Sequence, residues 1–158
     1  MYRSVRTKHT YRTPLYEFIK DILVICPNCS DRAIVKTGNF QEMKFEIQEV
    51  RVVCIQCTYF KTLDRVPMKG KQLIFGAPVD PFFHLPVWFQ TTFEGELLWA
   101  YNADHLDFLA DHVGAKLRER NGFKFNVKSI GARLPRWMTS KKNRDEILKA
   151  IHHLKSRA

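Results

Sequence analysis

Long apolar segments are missing from this sequence. The longest candidate, residues 85–101, is interrupted by proline, glutamine and glutamate, and a helix that crosses a bilayer needs roughly 18 or more consecutive apolar residues. The basic N-terminus is followed only by a short apolar run at residues 22–25, without a small-residue cleavage site, so no signal peptide is predicted. We therefore expect no contact with a membrane and a cytoplasmic location.

Catalytic motifs are also missing, and the histidines do not supply one. Four of the six histidines fall on two predicted helices, at positions 105, 112, 152 and 153, without a cysteine or carboxylate at metal-ligand spacing. A packed or boundary role is therefore favoured for them. Asp104, Asp107 and Asp111 are typical of the solvated side of a helix. The sequence does not predict an enzyme.

Cysteine is scarce, and all four cysteines fall into two Cys-x-x-Cys pairs. Cys26 pairs with Cys29 and Cys54 with Cys57, with 24 residues between the pairs. Two such turns supply the four sulfur ligands of a tetrahedral structural zinc ion. Two disulfides would be unusual in a reducing compartment, and a thioredoxin-like redox pair requires one such motif. With no fifth cysteine, and with His84 as the nearest following histidine, we expect a closed structural site that binds one Zn²⁺.

Short segments rich in β-branched and aromatic residues flank the cysteine pairs. Residues 22–25, 33–35, 50–53 and 59–63 are predicted strands, and a shift in the apolar phase predicts a bulge near Gln48 or Glu49. Over about residues 21–65 the chain resembles the zinc-ribbon family, in which two such cysteine turns are flanked by strands. That resemblance implies a fold and a metal but no activity.

The second half predicts a hairpin followed by two helices. Strands at residues 87–92 and 97–101 are joined around Glu94-Gly95-Glu96. Apolar residues at helical spacing predict a helix that is capped at its start by Asn102 or Asp104 and ends at Asn121-Gly122. A second helix begins near Asn143, with an Asn-x-x-Glu capping arrangement to Glu146, and Pro135 separates the two. The apolar residues that define these helices are Leu106, Leu109, Ala110, Val113 and Leu117 in the first, and Ile147, Leu148, Ile151 and Leu154 in the second.

The same half resembles a group of small bacterial proteins that contain a zinc ribbon. The stretches that carry this likeness are Asp80, residues 99–102, His105-Leu106, residues 118–120, 134–138 and 143–145. The resemblance implies that a ribbon and this second lobe occur together. It implies no activity and no role for any residue.

Positive charge is concentrated at the C-terminal end. The net charge of +10 equals that of residues 116–158 alone, whereas residues 71–115 carry −5. Residues 1–20 form a basic N-terminal arm that includes Arg3, Arg6, Lys8 and Arg12. Basic segments with interleaved aromatic residues favour nucleic acid, DNA or RNA, as the partner. The candidate contact residues are Arg118, Arg120, Lys124, Arg133, Arg136, Trp137, Lys141, Lys142 and Arg144. The alternative is a solvated basic surface with Trp137 in the core.

Lys141 and Lys142 precede the predicted start of the last helix, where the helix dipole is positive. Cations are locally unfavourable there unless an anion is bound, so a phosphate site is one hypothesis. The other is that Asp145 and Glu146 already neutralise the two lysines.

The sequence thus predicts an α+β protein with a three- or four-stranded zinc ribbon at residues 21–70 and a lobe with a β-hairpin and two helices at residues 71–158. The favoured function is non-catalytic nucleic-acid binding through the C-terminal block and the N-terminal arm. The alternative is an adaptor or a subunit of a larger complex that docks a protein partner through the acidic middle segment, residues 71–115, and the ribbon edge.

Overall fold

The computed structural model describes residues 18–37, 48–66, 73–114 and 134–158. These residues form a mixed α+β structure that begins with a four-stranded antiparallel sheet. Its strands are β1 (Ile22–Ile25), β2 (Arg32–Lys36), β3 (Gln48–Cys54) and β4 (Phe60–Val66), and they lie in that order. The predicted α+β class and the four predicted strands are confirmed.

One face of the sheet is apolar because the side chains alternate along each strand. Ile22, Val35 and Val52 form one row across β1, β2 and β3. Val24, Ala33 and Cys54 form the next row, and all six side chains are buried. The alternation therefore fixes the register of the strands and also places Cys54 on the buried face. The β3–β4 register shifts between Gln48 and Val50, which confirms the predicted bulge.

The hairpin of the second half consists of β5 (Phe89–Phe93) and β6 (Glu96–Ala100). Its two-residue loop is Glu94-Gly95, with φ of 47° and 83°. Two successive positive φ values are typical of the tight turn that matches the twist of antiparallel strands, and glycine adopts the second one without steric cost. The predicted hairpin is confirmed, although Glu96 belongs to the second strand.

Helix α1 (Ala103–Gly114) follows directly. The side chain of Asn102 accepts a hydrogen bond from the His105 N–H at 3.0 Å, so Asn102 caps the helix as predicted. The Asn102 amide also donates to the carbonyls of Phe18 and Lys20, at 2.9 Å each. One residue therefore starts the helix and fastens it to the segment before β1. The predicted end at Asn121-Gly122, and Leu117, lie outside the described residues.

The C-terminal segment contains a short helix α2 (Arg136–Thr139), a 3-10 turn (Lys141–Asn143) and helix α3 (Arg144–Lys155). The start of α3 near Asn143 is confirmed, but the predicted capping is wrong because the Asn143 side chain makes no capping hydrogen bond. Asn143 has helical backbone angles as the end of the 3-10 turn, and its amide donates to the Trp137 carbonyl at 2.9 Å. The side chain thus binds α2 to α3. In α3, Ile147, Ile151 and Leu154 are buried, and Leu148 is half-buried.

The two halves of the chain share backbone hydrogen bonds along the outer edge of β1. Leu23 donates to the Tyr101 carbonyl and accepts from the Trp88 N–H, both at 2.9 Å, and Ile25 donates to the Pro86 carbonyl at 2.9 Å. Tyr101 is buried in the same hydrophobic cluster as the sheet residues. A second cluster joins the hairpin to α1 and α3. This edge of the sheet is therefore covered, whereas β4 is the outermost strand at the other edge.

Candidate metal centre and basic surface

The two Cys-x-x-Cys turns meet at one end of the sheet. The first connects β1 to β2, and the second connects β3 to β4. The four Sγ atoms lie within 4.8 Å of one another. The Sγ atoms of Cys26 and Cys57 are 3.6 Å apart, as are those of Cys29 and Cys54. A tetrahedron with Zn–S bonds of about 2.3 Å requires sulfur atoms roughly 3.8 Å apart, whereas a disulfide requires about 2.05 Å. The spacing fits metal ligation.

The two cysteine turns share backbone conformation and hydrogen bonding. The residue after the second cysteine has a positive φ in each, 66° at Ser30 and 63° at Thr58. In the first turn the Cys26 N–H donates to the Asp31 carbonyl at 2.7 Å, and its carbonyl accepts from the Ser30 N–H at 2.9 Å. In the second, the Cys54 N–H donates to the Tyr59 carbonyl at 2.9 Å. Left-handed backbone at one residue lets the chain reverse tightly enough to direct both sulfurs to one point.

Asn28 supplies two hydrogen bonds to sulfur. Its backbone N–H donates to Cys26 Sγ at 3.4 Å, and its side-chain amide donates to Cys57 Sγ, in the other turn, at 3.3 Å. Hydrogen bonds to thiolates disperse their negative charge and fix the direction of the ligand. Gln56 occupies the equivalent position of the second turn and makes no hydrogen bond to sulfur within the described structure. Asn28 is not among the functional residues predicted from the sequence.

The four thiols are unequal in environment. Cys26 and Cys54 are buried, Cys57 is half-buried and Cys29 is exposed. The hydrogen bond from Asn28 lowers the pKa of Cys57 to about 6. At Cys29, a backbone hydrogen bond at Asp31 lowers the pKa, but desolvation and the three neighbouring thiols outweigh it and raise the pKa to about 12. Ionisation of one thiol thus opposes ionisation of the next, and a bound dication removes this conflict by compensating several thiolates at once.

Four closely placed cysteines can hold a metal ion, and the all-sulfur donor set suits zinc. In the part of the chain that the structure describes, this is the only group of three or more metal-binding side chains. All four positions of a tetrahedral ion are then taken by protein, which is typical of a structural site rather than a catalytic one. The arrangement is consistent with the zinc-ribbon resemblance of residues 21–65.

Comparisons of the chain with protein-family models, with curated proteins and with solved structures each found no match. The resemblance of the second half to small bacterial zinc-ribbon proteins therefore stays an expectation.

Five of the predicted nucleic-acid contacts are described by the structure. Arg136, Lys141 and Lys142 are exposed, and Trp137 and Arg144 are half-buried. All five lie in the continuous segment that runs from α2 through the 3-10 turn into α3, residues 136–144, which we call the basic segment. The other four, Arg118, Arg120, Lys124 and Arg133, lie outside the described residues, as do residues 1–17 of the N-terminal arm.

Trp137 packs against the hairpin. Its ring stacks on Phe93 with centroids 5.7 Å apart and an interplanar angle of 15°. It also borders the second hydrophobic cluster. One face of the indole is therefore already covered by protein.

The histidines of α1 are packed, as the sequence analysis favoured. His105 and His112 are buried, whereas His152 and His153 are exposed on α3. Burial lowers the pKa of His105 to about 3, so its imidazole is neutral.

The acidic residues are dispersed rather than gathered into a site. Asp104, Asp107 and Asp111 are exposed along α1, and Asp107 pairs with Lys155 of α3. Asp80, in the acidic middle segment, is fully buried and accepts backbone hydrogen bonds from Phe82, Phe83 and Leu85. Asp80 therefore organises a loop and contributes no surface charge to the acidic middle segment.

Among the described residues, no helix has the length and apolar content needed to cross a membrane.

Proposed function

We propose that the protein binds one structural zinc ion through Cys26, Cys29, Cys54 and Cys57 and uses the basic segment to bind nucleic acid without catalysis. The zinc part rests on the sulfur geometry and on the place of the cysteines in the fold. Cys26 and Cys54 belong to the hydrophobic cluster under the sheet. A metal ion would therefore join the β1–β2 turn to the β3–β4 turn and stabilise the packed face between them.

The observation that carries the nucleic-acid part is a concentration of unpaired cations. Arg136, Lys141, Lys142 and Arg144 lie within nine residues, and none has an ion-pair partner in the described structure. Four other cations of the described residues do have one. Ion pairs join Lys36 to Asp21, Arg51 to Glu49, Lys149 to Glu146 and Lys155 to Asp107.

The neighbouring carboxylates do little to neutralise the basic segment. The Glu146 carboxylate pairs with Lys149, one turn further along α3, with Oε1 3.4 Å from Nζ. Asp145 is then the other acid in the first turn of α3. Phosphate oxygens would pair with the exposed cations of the segment and would also interact favourably with the positive end of the α3 dipole.

The proposed contacts are to phosphates rather than to bases. Lysine and arginine on an exposed segment neutralise backbone charge and release counterions, which provides affinity without sequence information. Trp137 was predicted to stack on unpaired bases, but its contact with Phe93 leaves at most its other face for a base. No preference for single-stranded over duplex targets is therefore expected.

A fluorescence-anisotropy titration with single-stranded and duplex DNA and RNA at several salt concentrations tests this proposal. If all four cations contact phosphates, the slope of log affinity against log salt on duplex DNA should be about −4, at roughly 0.9 per contact. Dissociation constants weaker than about 10⁻⁴ M for every target, the weak end of the non-specific range, would contradict it. A flat salt dependence would contradict it as well.

A second candidate function, an adaptor for a protein partner, is favoured by apolar side chains beside the metal centre. Ile55, inside the second cysteine turn, is 74% exposed, and Phe60, at the start of the edge strand β4, is 58% exposed. Exposed apolar side chains next to an edge strand are typical of surfaces that accept another chain.

The adaptor is tested by purifying tagged protein from its host. A partner in stoichiometric amount that is lost from Ile55→Ser and Phe60→Ser but retained by Thr62→Ala, a change at an exposed residue of the same strand, would favour it. Partner recovery that is equal for all three variants would count against it.

A further inference from the structure

A mostly apolar cavity lies between the hairpin, α1 and α2. Its volume is about 280 Å³. Leu97, at its rim, is 38% exposed, so the cavity is open to solvent on that side. The described side chains that line it include Leu97, Trp99, Leu109, Leu134, Trp137 and Met138, together with His105.

His105 is the polar feature of this lining. The side chain is 3% exposed, and its Nδ1 accepts a hydrogen bond from the Tyr101 N–H at 3.0 Å. Since Nδ1 is the acceptor, the proton of the neutral imidazole is on Nε2. The described part of the chain offers no acceptor to this N–H. A guest that displaces water from this N–H loses affinity unless it carries an acceptor of its own, so the cavity is suited to a guest that carries one.

Water enters the cavity through its open side and is the guest that a ligand would displace. An apolar cavity of about 150 Å³ is large enough for benzene, and ligand pockets begin at about 300 Å³. The volume here therefore suits a molecule of one or two rings.

We propose that this cavity is a binding site for a small planar aromatic molecule with one hydrogen-bond acceptor, which accepts the Nε2–H of His105. Trp99 and Trp137 provide aromatic walls, for which offset or edge-on ring contacts are favourable. His105 itself is held in place by Phe18, whose ring stacks on the imidazole with centroids 4.9 Å apart. The donor is thus fixed in direction before any ligand binds.

A matched pair of probes tests the site on the intact protein. Isoquinoline and naphthalene have the same shape, but only isoquinoline carries a ring nitrogen that accepts a hydrogen bond. Both should bind saturably by tryptophan fluorescence or calorimetry. Isoquinoline should bind about 2- to 12-fold more tightly, which corresponds to the 0.5–1.5 kcal/mol of one net hydrogen bond. In NMR spectra, the ¹⁵Nε2 signal of His105 should shift with isoquinoline and not with naphthalene.

Substitution of His105 separates the effect of its Nε2–H on binding from the effect of the cavity's shape. His105→Asn keeps an oxygen near the Nδ1 position for the Tyr101 N–H but has no group at Nε2, so the two probes should bind it equally. His153→Asn, on the exposed side of α3, should keep the preference. If His105→Asn does not fold, the Nε2 signal of the unaltered protein decides. Dissociation constants weaker than about 1 mM for both probes, or equal affinities with an unmoved Nε2 signal, would overturn the proposal.

Discussion

The side-chain amide of Asn28 donates a hydrogen bond to the Sγ atom of Cys57 at 3.3 Å, and this contact connects the two cysteine turns. Hydrogen bonds of this kind orient a metal ligand and compensate its charge, and their loss typically lowers metal affinity 10- to 100-fold. Because the contact is exposed, Asn28→Ala should weaken zinc binding by about tenfold, at the low end of that range. Competition with a chromophoric chelator measures the change.

Gln56→Ala provides the matched control, since Gln56 has the same place in the second turn but no bond to sulfur in the described structure. Its zinc affinity should stay within about twofold of the parent. Equal losses in both variants would mean that the side-chain amide of Asn28 has no specific role at the sulfurs.

The metal centre itself predicts one zinc ion per chain. Cys26→Ser or Cys54→Ser should abolish stoichiometric binding and unfold the sheet, because these two sulfurs are buried in its core and the binding energy contributes to folding. Elemental analysis of the purified protein and thermal melts with and without chelator provide the measurement. Much less than one zinc per chain, or a melting temperature that chelator leaves unchanged, would contradict this.

Thr58 is a β-branched residue with a φ of 63°. Left-handed backbone costs most residues roughly 1–2 kcal/mol and glycine almost nothing. Thr58→Gly should therefore raise the free energy of unfolding by about 0.5–1 kcal/mol, after the larger chain entropy of unfolded glycine is subtracted. Denaturant unfolding of the zinc-loaded protein measures it. Thr62→Gly, within strand β4, is the control and should lower the free energy of unfolding. If Thr58→Gly also lowers it, the turn is not strained at Thr58.

The buried imidazole of His105 predicts a pH dependence of stability. Its pKa is lowered from 6.5 to about 3 by burial, so the unfolded chain binds a proton that the folded protein does not. The stabilisation that the neutral imidazole gives the folded state is fully present above pH 6.5 and decreases as the pH falls towards 3. Between pH 7.5 and 5 the free energy of unfolding should fall by about 2 kcal/mol for this reason, at roughly 1.4 kcal/mol per pH unit below 6.5.

Acid also protonates thiolates and releases zinc, so the difference between variants is the informative quantity. The unfolding free energy of His105→Asn should decrease less between pH 7.5 and 5 than that of the parent, by about 2 kcal/mol. His153→Asn, at an exposed position, should follow the parent. Parallel profiles for all three proteins would mean that folding does not lower the pKa of His105.

The strands and the cysteine cluster were predictable because their signals are local. Alternating apolar residues determine which face of a strand is buried, and the shift of phase before Val50 is itself the signature of the bulge at Gln48. The Cys-x-x-Cys spacing specifies two sulfurs per turn, and two turns complete a tetrahedron. These features require no knowledge of distant contacts.

The features that escaped prediction depend on distant contacts. The hydrogen bonds of Leu23 to Trp88 and Tyr101 join residues more than 60 positions apart, and no local pattern encodes such pairing. Asn143 has the composition of a cap, but the carbonyl of Trp137 accepts its amide instead. Asn28 reaches Cys57 only once the turns have met, and the cavity at His105 exists only between packed elements.

The most direct measurement for the proposed function compares two double variants of equal charge change. Lys141→Ala/Lys142→Ala removes two cations of the basic segment, whereas Lys36→Ala/Lys61→Ala removes two exposed cations of the four-stranded sheet, in the other half of the chain. Binding to one duplex DNA is titrated at several salt concentrations for the parent and both variants. Phosphate contacts by the basic segment predict that the first variant reduces the magnitude of the salt slope by about two, at roughly 0.9 per lost contact, and that the second leaves it close to the parent's. Equal effects of the two variants, or no effect of the first, would contradict a binding surface at residues 136–144.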